Sequence, residues 1–437
     1  MPLLPQNGTL GMQRAAHLLR RAAFGGTKQE IDSYAGMTAT QALNQLFQPT
    51  PQPLAPIDPA LGTTWVNLLP SDDEDDGPRQ GYFLRWFLGR MMGVEDLPIN
   101  EIVREKITFF FHTYFTTMRS KVDNSRALYY QNALFRMFAL DSLDDPLGPR
   151  DFRTLVKKVS VDNAMIRFLD GNRNVKGSPN ENYAREMLEL YTLGRGLEGT
   201  LPQTPEPGDY IYYTEQDVRA AANVLTGYDF DKNFTNIDPE TGLPTATVKG
   251  GIQASQHEPD PDKKEFSARF DNMTITADPA LMPMGIPTPE SMADELNQLI
   301  DMIFDKEETA RHICRKLYRF YVHYEINDAI ENDIITDMAQ RFIGGGYRIQ
   351  PVLEALLGSS HFFEAFNGTD DDKFGAIIKS PVDMLCGTVR FFEVALPSYA
   401  TQPAEFYEIT GDLMRVMDLQ GLSLYEPIEV AGYPAYH

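Results

Sequence analysis

The sequence predicts a mainly α protein, a large multi-helix globular bundle carrying a small irregular or β insertion around residues 228–288. Three observations predict it. Apolar residues recur at helical spacing over most of the chain. That spacing fails once, between Gly227 and Pro289, where Gly, Pro, Asp and Thr accumulate around short β-like pieces such as Ala246–Lys249. A chain of 437 residues with 42% hydrophobic content can also bury a large core, which excludes disorder. The pattern divides into an N-terminal helical segment (1–70), a central helical core (78–227), the insertion (228–288) and a C-terminal helical part (289–437), read together as one composite domain.

The first helix runs from about Leu10 to Phe24, with Met12, Ala15, Ala16, Leu19 and Ala22 at helical spacing and Gly25-Gly26 as its stop. Thr27 to Glu30 opens a second helix with a capping box. The Pro-rich stretch Pro49–Pro59 and the acidic run Ser71–Gly77 read as exposed connections. Helical patterning dominates from Tyr82 up to the insertion, and Thr214–Asp217 caps a helix bearing Val218, Ala221, Ala222 and Leu225. It resumes at Glu290–Phe304, Glu307–Val322, Asn327–Ile343, Pro351–Leu357 and Pro381–Val394. Gly344-Gly345-Gly346 is a stop, not a phosphate loop, because no strand precedes it and no Lys-Ser/Thr follows.

Lys and Arg number 39 against 62 Asp and Glu, a net charge of −23 that repels phosphate backbones and argues against nucleic acid as a partner. Two cysteines, Cys314 and Cys386, provide neither a disulfide framework nor a paired-cysteine zinc site. No apolar run approaches the roughly 18 residues of a membrane span, and the opening lacks a secretory apolar region. The expected location is therefore cytoplasmic, or exported if a leader has been removed.

Candidate chemistry sits in four places. On a helix spanning Glu101–Met118, Glu101, Glu105, Thr108, His112 and Thr116 lie opposite a broad apolar face of Val103, Ile107, Phe110, Phe111, Tyr114 and Met118. The polar stripe faces water or, because Ile102, Phe109 and Phe115 flank it, is buried; a buried carboxylate and imidazole need partners or an ion. Glu105 and His112 are thus candidate catalytic residues or metal ligands. The polar loop from Asp170 feeds a helix near Asn180 that stops at Gly194, with Asn182, Glu186 and Glu189 sharing a face. Glu186 is a candidate base, Asn182 a candidate substrate contact, and Glu186 with Glu189 could join Glu105 and His112 around a divalent metal.

Arg311, Arg315 and Arg319 recur every fourth residue of one helix. Arg315 and Arg319 either pair with Glu186 or Glu189, or hold a small anionic ligand. His257 lies in an Asp/Pro-rich loop read as surface, and is a further candidate for substrate binding. No nucleophile elbow and no Cys with an obvious His partner appears, so covalent schemes lack support.

The segments His17–Gly25, Glu105–His112, Gly177–Gly194, Asp217–Gly227 and Arg315–Phe320, in this order, resemble the bacterial family catalogued as domain of unknown function 1800. The resemblance implies little about activity, but it implies export for many members and a sulfatase-like protein encoded alongside. This chain departs from the family pattern at His257-Glu258, where His-Asp with a nearby Gly is usual. The end, Gly432–His437, resembles the middle of a family motif that normally continues, so truncation is expected. Two functional readings follow: a pocket of Glu105, His112, Asn182, Glu186 and Glu189, with Arg315 and Arg319 near, that performs metal-assisted or acid–base chemistry on an anionic substrate; or a non-catalytic partner module for the sulfatase-like protein, its polar stripes serving as internal ion pairs.

Overall fold

In the computed structural model Thr27 and Glu30 close the capping box that the sequence predicts. The Glu30 N–H donates to Thr27 Oγ1 at 3.1 Å and the Thr27 N–H to Glu30 Oε2 at 2.7 Å. The structure describes residues 3–70, 75–141, 150–197, 204, 209–363 and 377–433. Among the described residues there are eighteen α-helices and one two-stranded sheet, so the protein is mainly α as predicted. No helix among them is long and apolar enough to cross a membrane. Of the acidic run, residues 71–74 lie outside the described residues, while Asp75 caps the Asp76–Met92 helix and so opens an element rather than only a connection. Residues 434–437 of the terminal motif also lie outside them.

The chain divides into two compact units, one formed by Met1–Asp151 with Cys314–His437 and the other by Phe152–Ile313. The boundary falls inside the continuous helix Glu307–Tyr321.

In the first unit the helices Asp76–Met92, Ile99–Tyr114 and Ser125–Phe138 pack against one another. Every side chain from Glu101 to Tyr114 is buried, so the polar stripe of the middle helix faces protein rather than water. That helix stops at Tyr114, short of the predicted Met118. The Thr113 hydroxyl donates to the Phe110 carbonyl and the Thr116 hydroxyl to the Thr113 carbonyl, satisfying last-turn acceptors locally and offering the backbone an exit. The helices Gly11–Ala22 and Pro381–Phe391 belong to this unit as well. Ser380 caps the latter by accepting from the Asp383 N–H at 3.1 Å, with Pro381 in the first turn.

In the second unit the helix Glu181–Glu186 widens into a π-helical turn, Met187–Tyr191. The capping box at Thr214 and Asp217 forms as predicted. The region after Gly227 contains the only sheet among the described residues, Tyr228–Asp229 antiparallel to Thr247–Val248 with Tyr228 opposite Val248. Short 3-10 turns fill the rest, until Thr288 caps the helix Pro289–Phe304.

Candidate functional site

Glu105 is completely buried in the first unit, and its carboxylate is held by two arginines from the neighbouring helices. Arg90 Nε and Arg136 Nε each donate to Oε1 at 2.9 Å, and Arg136 Nη2 donates to Oε2 at 2.6 Å. Arg90 Nη2 reaches on to Glu101 at 2.8 Å, and Arg136 lies over the Trp86 ring at 5.2 Å. Burial alone would push the Glu105 carboxyl up, but Arg136 and Arg90 together hold it below the usual carboxylate range. Oε1 thus accepts from both arginines and Oε2 from Arg136, which places Glu105 in an internal ion-pair network sealed from solvent.

His112, two turns along the same helix, meets a different neighbourhood. Its ring stacks on Tyr425 with centroids 3.7 Å apart, and Nε2 lies 3.0 Å from the Tyr433 hydroxyl. Burial pushes the imidazole down to about 3, so it is neutral at ordinary pH. Arg315 forms a buried fork with Glu331, Nε to Oε2 at 2.9 Å and Nη2 to Oε1 at 2.6 Å. Arg319 donates to the Tyr324 carbonyl at 3.3 Å. The expected pairing of these arginines with Glu186 or Glu189 is corrected accordingly: the nearest acid to Arg315 comes from the π-helical turn Ile330–Ile335, which periodicity reads only as part of a longer helix.

In the second unit Asn182 is exposed at the start of its helix. Glu189 pairs with Arg195 at 2.7 Å and accepts from the Tyr213 hydroxyl at 3.2 Å. Glu186 is half-buried, and among the described residues no hydrogen bond or ion pair reaches its carboxylate. Burial and the neighbouring Glu189 push its carboxyl up, against the pull of Arg185 and Arg195. It sits where the α-helix opens into the π turn, a feature frequent at functional sites. Beyond the turn lies Gly194, whose φ of +71° suits glycine; a Cβ there would lie 2.1 Å from His312 Nδ1, so the ring occupies the space that a side chain would need.

Because Glu186 holds its proton more tightly folded than unfolded, its protonation favours the fold below about pH 4.5, and that contribution is lost as pH rises through the folded value. Glu186→Gln is therefore expected to leave stability at pH 7.5 unchanged or increased, measured by urea unfolding. A large loss of stability would mean that the carboxylate is paired after all.

The loop around His257 runs along the surface at Gln256 and at residues 261–263, but it turns His257 and Glu258 inward. His257 and Glu258 are both 1% exposed. His257 Nδ1 donates to the Thr226 carbonyl at 2.9 Å, and Nε2 lies 2.9 Å from Glu295 Oε2. Lys264 Nζ donates to both Glu295 oxygens, at 2.7 and 2.5 Å. Gln256 and His257 also pack against Gly227, whose positive φ lets the loop backbone approach. His257 thus joins a buried cluster with Lys264 and Glu295, not a surface contact for substrate. Among the described residues no three His, Cys, Asp or Glu side chains gather as a metal-binding set.

What the sequence analysis missed is a cleft in the first unit. Gln13, Ala16 and Arg20 recur on one face of the Gly11–Ala22 helix, and Gly387 and Phe391 recur on one face of the Pro381–Phe391 helix; these two stripes form facing walls. The turn after the first helix, Gly25-Gly26, closes one end. Gly25 has φ of +102°, and a Cβ there would lie 3.5 Å from Gly387 Cα, so the turn and the helix meet backbone to backbone. Arg390 ties them together by donating to the Gly25 carbonyl at 3.1 Å and to Glu30 at 2.8 Å. The resulting hollow is about 420 Å³, within the range of small-molecule sites.

A smaller hollow of about 60 Å³ adjoins it, sharing Arg20 and Lys379 and adding Arg21, Lys106, Asp383 and the rings of Phe24 and Phe320. Lys106 is paired with Asp383 and lies over Phe24 at 4.4 Å and Phe320 at 5.0 Å. Burial and Arg20 push the Arg21 guanidinium down to about 10, with Asp383 opposing. The signal available beforehand was Arg20-Arg21 within the His17–Gly25 segment, a doubled cation in the last turn of its helix.

Fold and site define a mainly α protein with a basic cleft in its first unit and buried, ion-paired polar clusters in both. A family model described as "Protein of unknown function (DUF1800)" matches residues 17–437, and the chain belongs to that family. No curated protein and no solved structure matches the chain.

Proposed function

We propose that the protein binds a small anionic ligand in the cleft between the Gly11–Ala22 and Pro381–Phe391 helices. One observation carries this reading. In a chain of net charge −23, the exposed cations Arg20 and Lys379 face the same hollow, and among the described residues no carboxylate pairs with either. A concave site with low-dielectric walls strengthens the field of its charges, and a guanidinium presents a fork suited to phosphate or carboxylate oxygens. Arg20 and Lys379 thus take the anion-holding role that the sequence suggested for Arg315 and Arg319.

A second reading, a non-catalytic module acting with a sulfatase-like protein, is favoured by the pairing of buried acids: Glu105, Glu295 and Glu331 each sit against cations, as internal ties would. Calorimetric titration of the whole chain with inorganic phosphate at low ionic strength separates the two. The anion reading expects saturable binding that weakens as salt rises, and a loss of about tenfold or more in the Arg20→Ala/Lys379→Ala double variant. Binding that is absent, or equal in the double variant, overturns it and leaves the partner reading.

A further inference from the structure

We infer that the ligand is amphipathic: a single phosphate or carboxylate group carried on a compact apolar body, with the charged group seated between Arg20 and Lys379 and the body in the larger hollow. The inference rests on the anion-binding reading and follows from how charge and volume are divided between the two adjoining hollows.

The smaller hollow has the charge but not the space. At about 60 Å³ it has room for a headgroup or a few water molecules. Its innermost cation, Lys106, is already neutralised by Asp383 and covered by two aromatic rings. The larger hollow has the space but little charge. Apart from Arg20 and Lys379 at the shared junction, its walls are Ala16, Ile31, Phe391, the neutral Gln13 and the glycines 25, 26 and 387.

A free inorganic anion would use only the junction and leave the larger hollow to water. That hollow exposes Phe391, half of whose surface is open to solvent, beside Ile31 and Ala16. Covering such surface is favourable in proportion to its area, and an aromatic ring gains further from a flat partner. A Cβ on Gly25 would lie 3.5 Å from Gly387 Cα, and both glycines line the hollow, so backbone instead of side chains forms this part of its wall, on which a flat body can lie. Gly387 cannot acquire a side chain cheaply, since a Cβ there would lie 3.0 Å from the Phe24 carbonyl and 3.7 Å from Lys379 Nζ, at the junction itself.

The test compares two probes of equal headgroup on the whole chain, inorganic phosphate and phenyl phosphate, by calorimetric titration. Phenyl phosphate is expected to bind about tenfold or more tightly than inorganic phosphate. Phe391→Ser, at a half-exposed position where folding is little affected, is expected to remove most of that advantage. Equal affinity of the two probes for the unaltered protein, or an advantage that survives Phe391→Ser, overturns the amphipathic assignment and leaves the anion site standing. Failure of both probes to bind overturns the anion site and this inference with it.

Discussion

Glu105→Gln is expected to lower the unfolding free energy by about 3–5 kcal/mol, the usual consequence of removing one partner from a buried ion pair. The network around it holds three guanidiniums, Arg90, Arg104 and Arg136, against two carboxylates, Glu101 and Glu105. Arg104 is already poorly served: it donates from Nη1 to the Arg136 carbonyl at 3.0 Å, while among the described residues its Nε and Nη2 have no hydrogen-bond partner. Burial and Arg136 push its guanidinium down to about 10. Neutralising Glu105 would leave Arg90 and Arg136 with one carboxylate between them, in surroundings that water does not reach. Urea denaturation at neutral pH reads the effect directly. A loss below about 1 kcal/mol, the scale of an exposed pair, would mean that the network is not holding the fold and would return Glu105 to the list of chemically available residues.

Acidification from pH 6.5 to 5 is expected to weaken the fold by up to about 2.7 kcal/mol per pH unit, close to the effect of two protons taken up on unfolding. His17 and His112 are each pushed down to about 3. For His17 burial is the first cause, followed by Arg21 and Arg20; for His112 it is burial alone. Both are neutral in the fold and gain a proton when the chain opens below their ordinary value of 6.5. Their contribution to stability is therefore complete above pH 6.5 and drains away as pH falls toward 3. His112→Phe should roughly halve the slope between pH 6 and 5, because only His17 then takes up a proton. A denaturation midpoint that stays level over this range would show that the imidazoles protonate in place.

The helical class and several element starts were legible because they depend on neighbours in sequence. The Thr27–Glu30 and Thr214–Asp217 boxes need only residues three apart, and both form. The Pro403–Leu419 helix escaped because it shows no clean stripe: Gly411 interrupts it, and Ile409, Val416 and Leu419 point outward. The site was harder for the same physical reason. Periodicity identifies the polar stripe of Glu105 and His112, but what a stripe does is decided by what faces it. Arg90 and Arg136 for Glu105, Tyr425 for His112, and Glu295 with Lys264 for His257 all arrive from elsewhere in the chain. The surface reading of the His257 loop holds for Gln256, Pro261 and Asp262 but not for His257 and Glu258, because an Asp/Pro-rich composition reports the backbone's turns and not which side chains they turn inward. Glu186 shows the converse: that no partner among the described residues reaches its carboxylate is a property no local pattern could announce.

The contact of Arg390 with the Gly25 carbonyl joins residues 365 positions apart, and it fixes when the cleft can exist. Its two walls lie far apart in sequence, so a nascent chain carries the Arg20 side of the hollow long before it carries Gly387 and Phe391. Contacts so distant in sequence are costly to close and form slowly. The hollow therefore forms only once both helices have been made, and a fragment that ends between them lacks one of its walls.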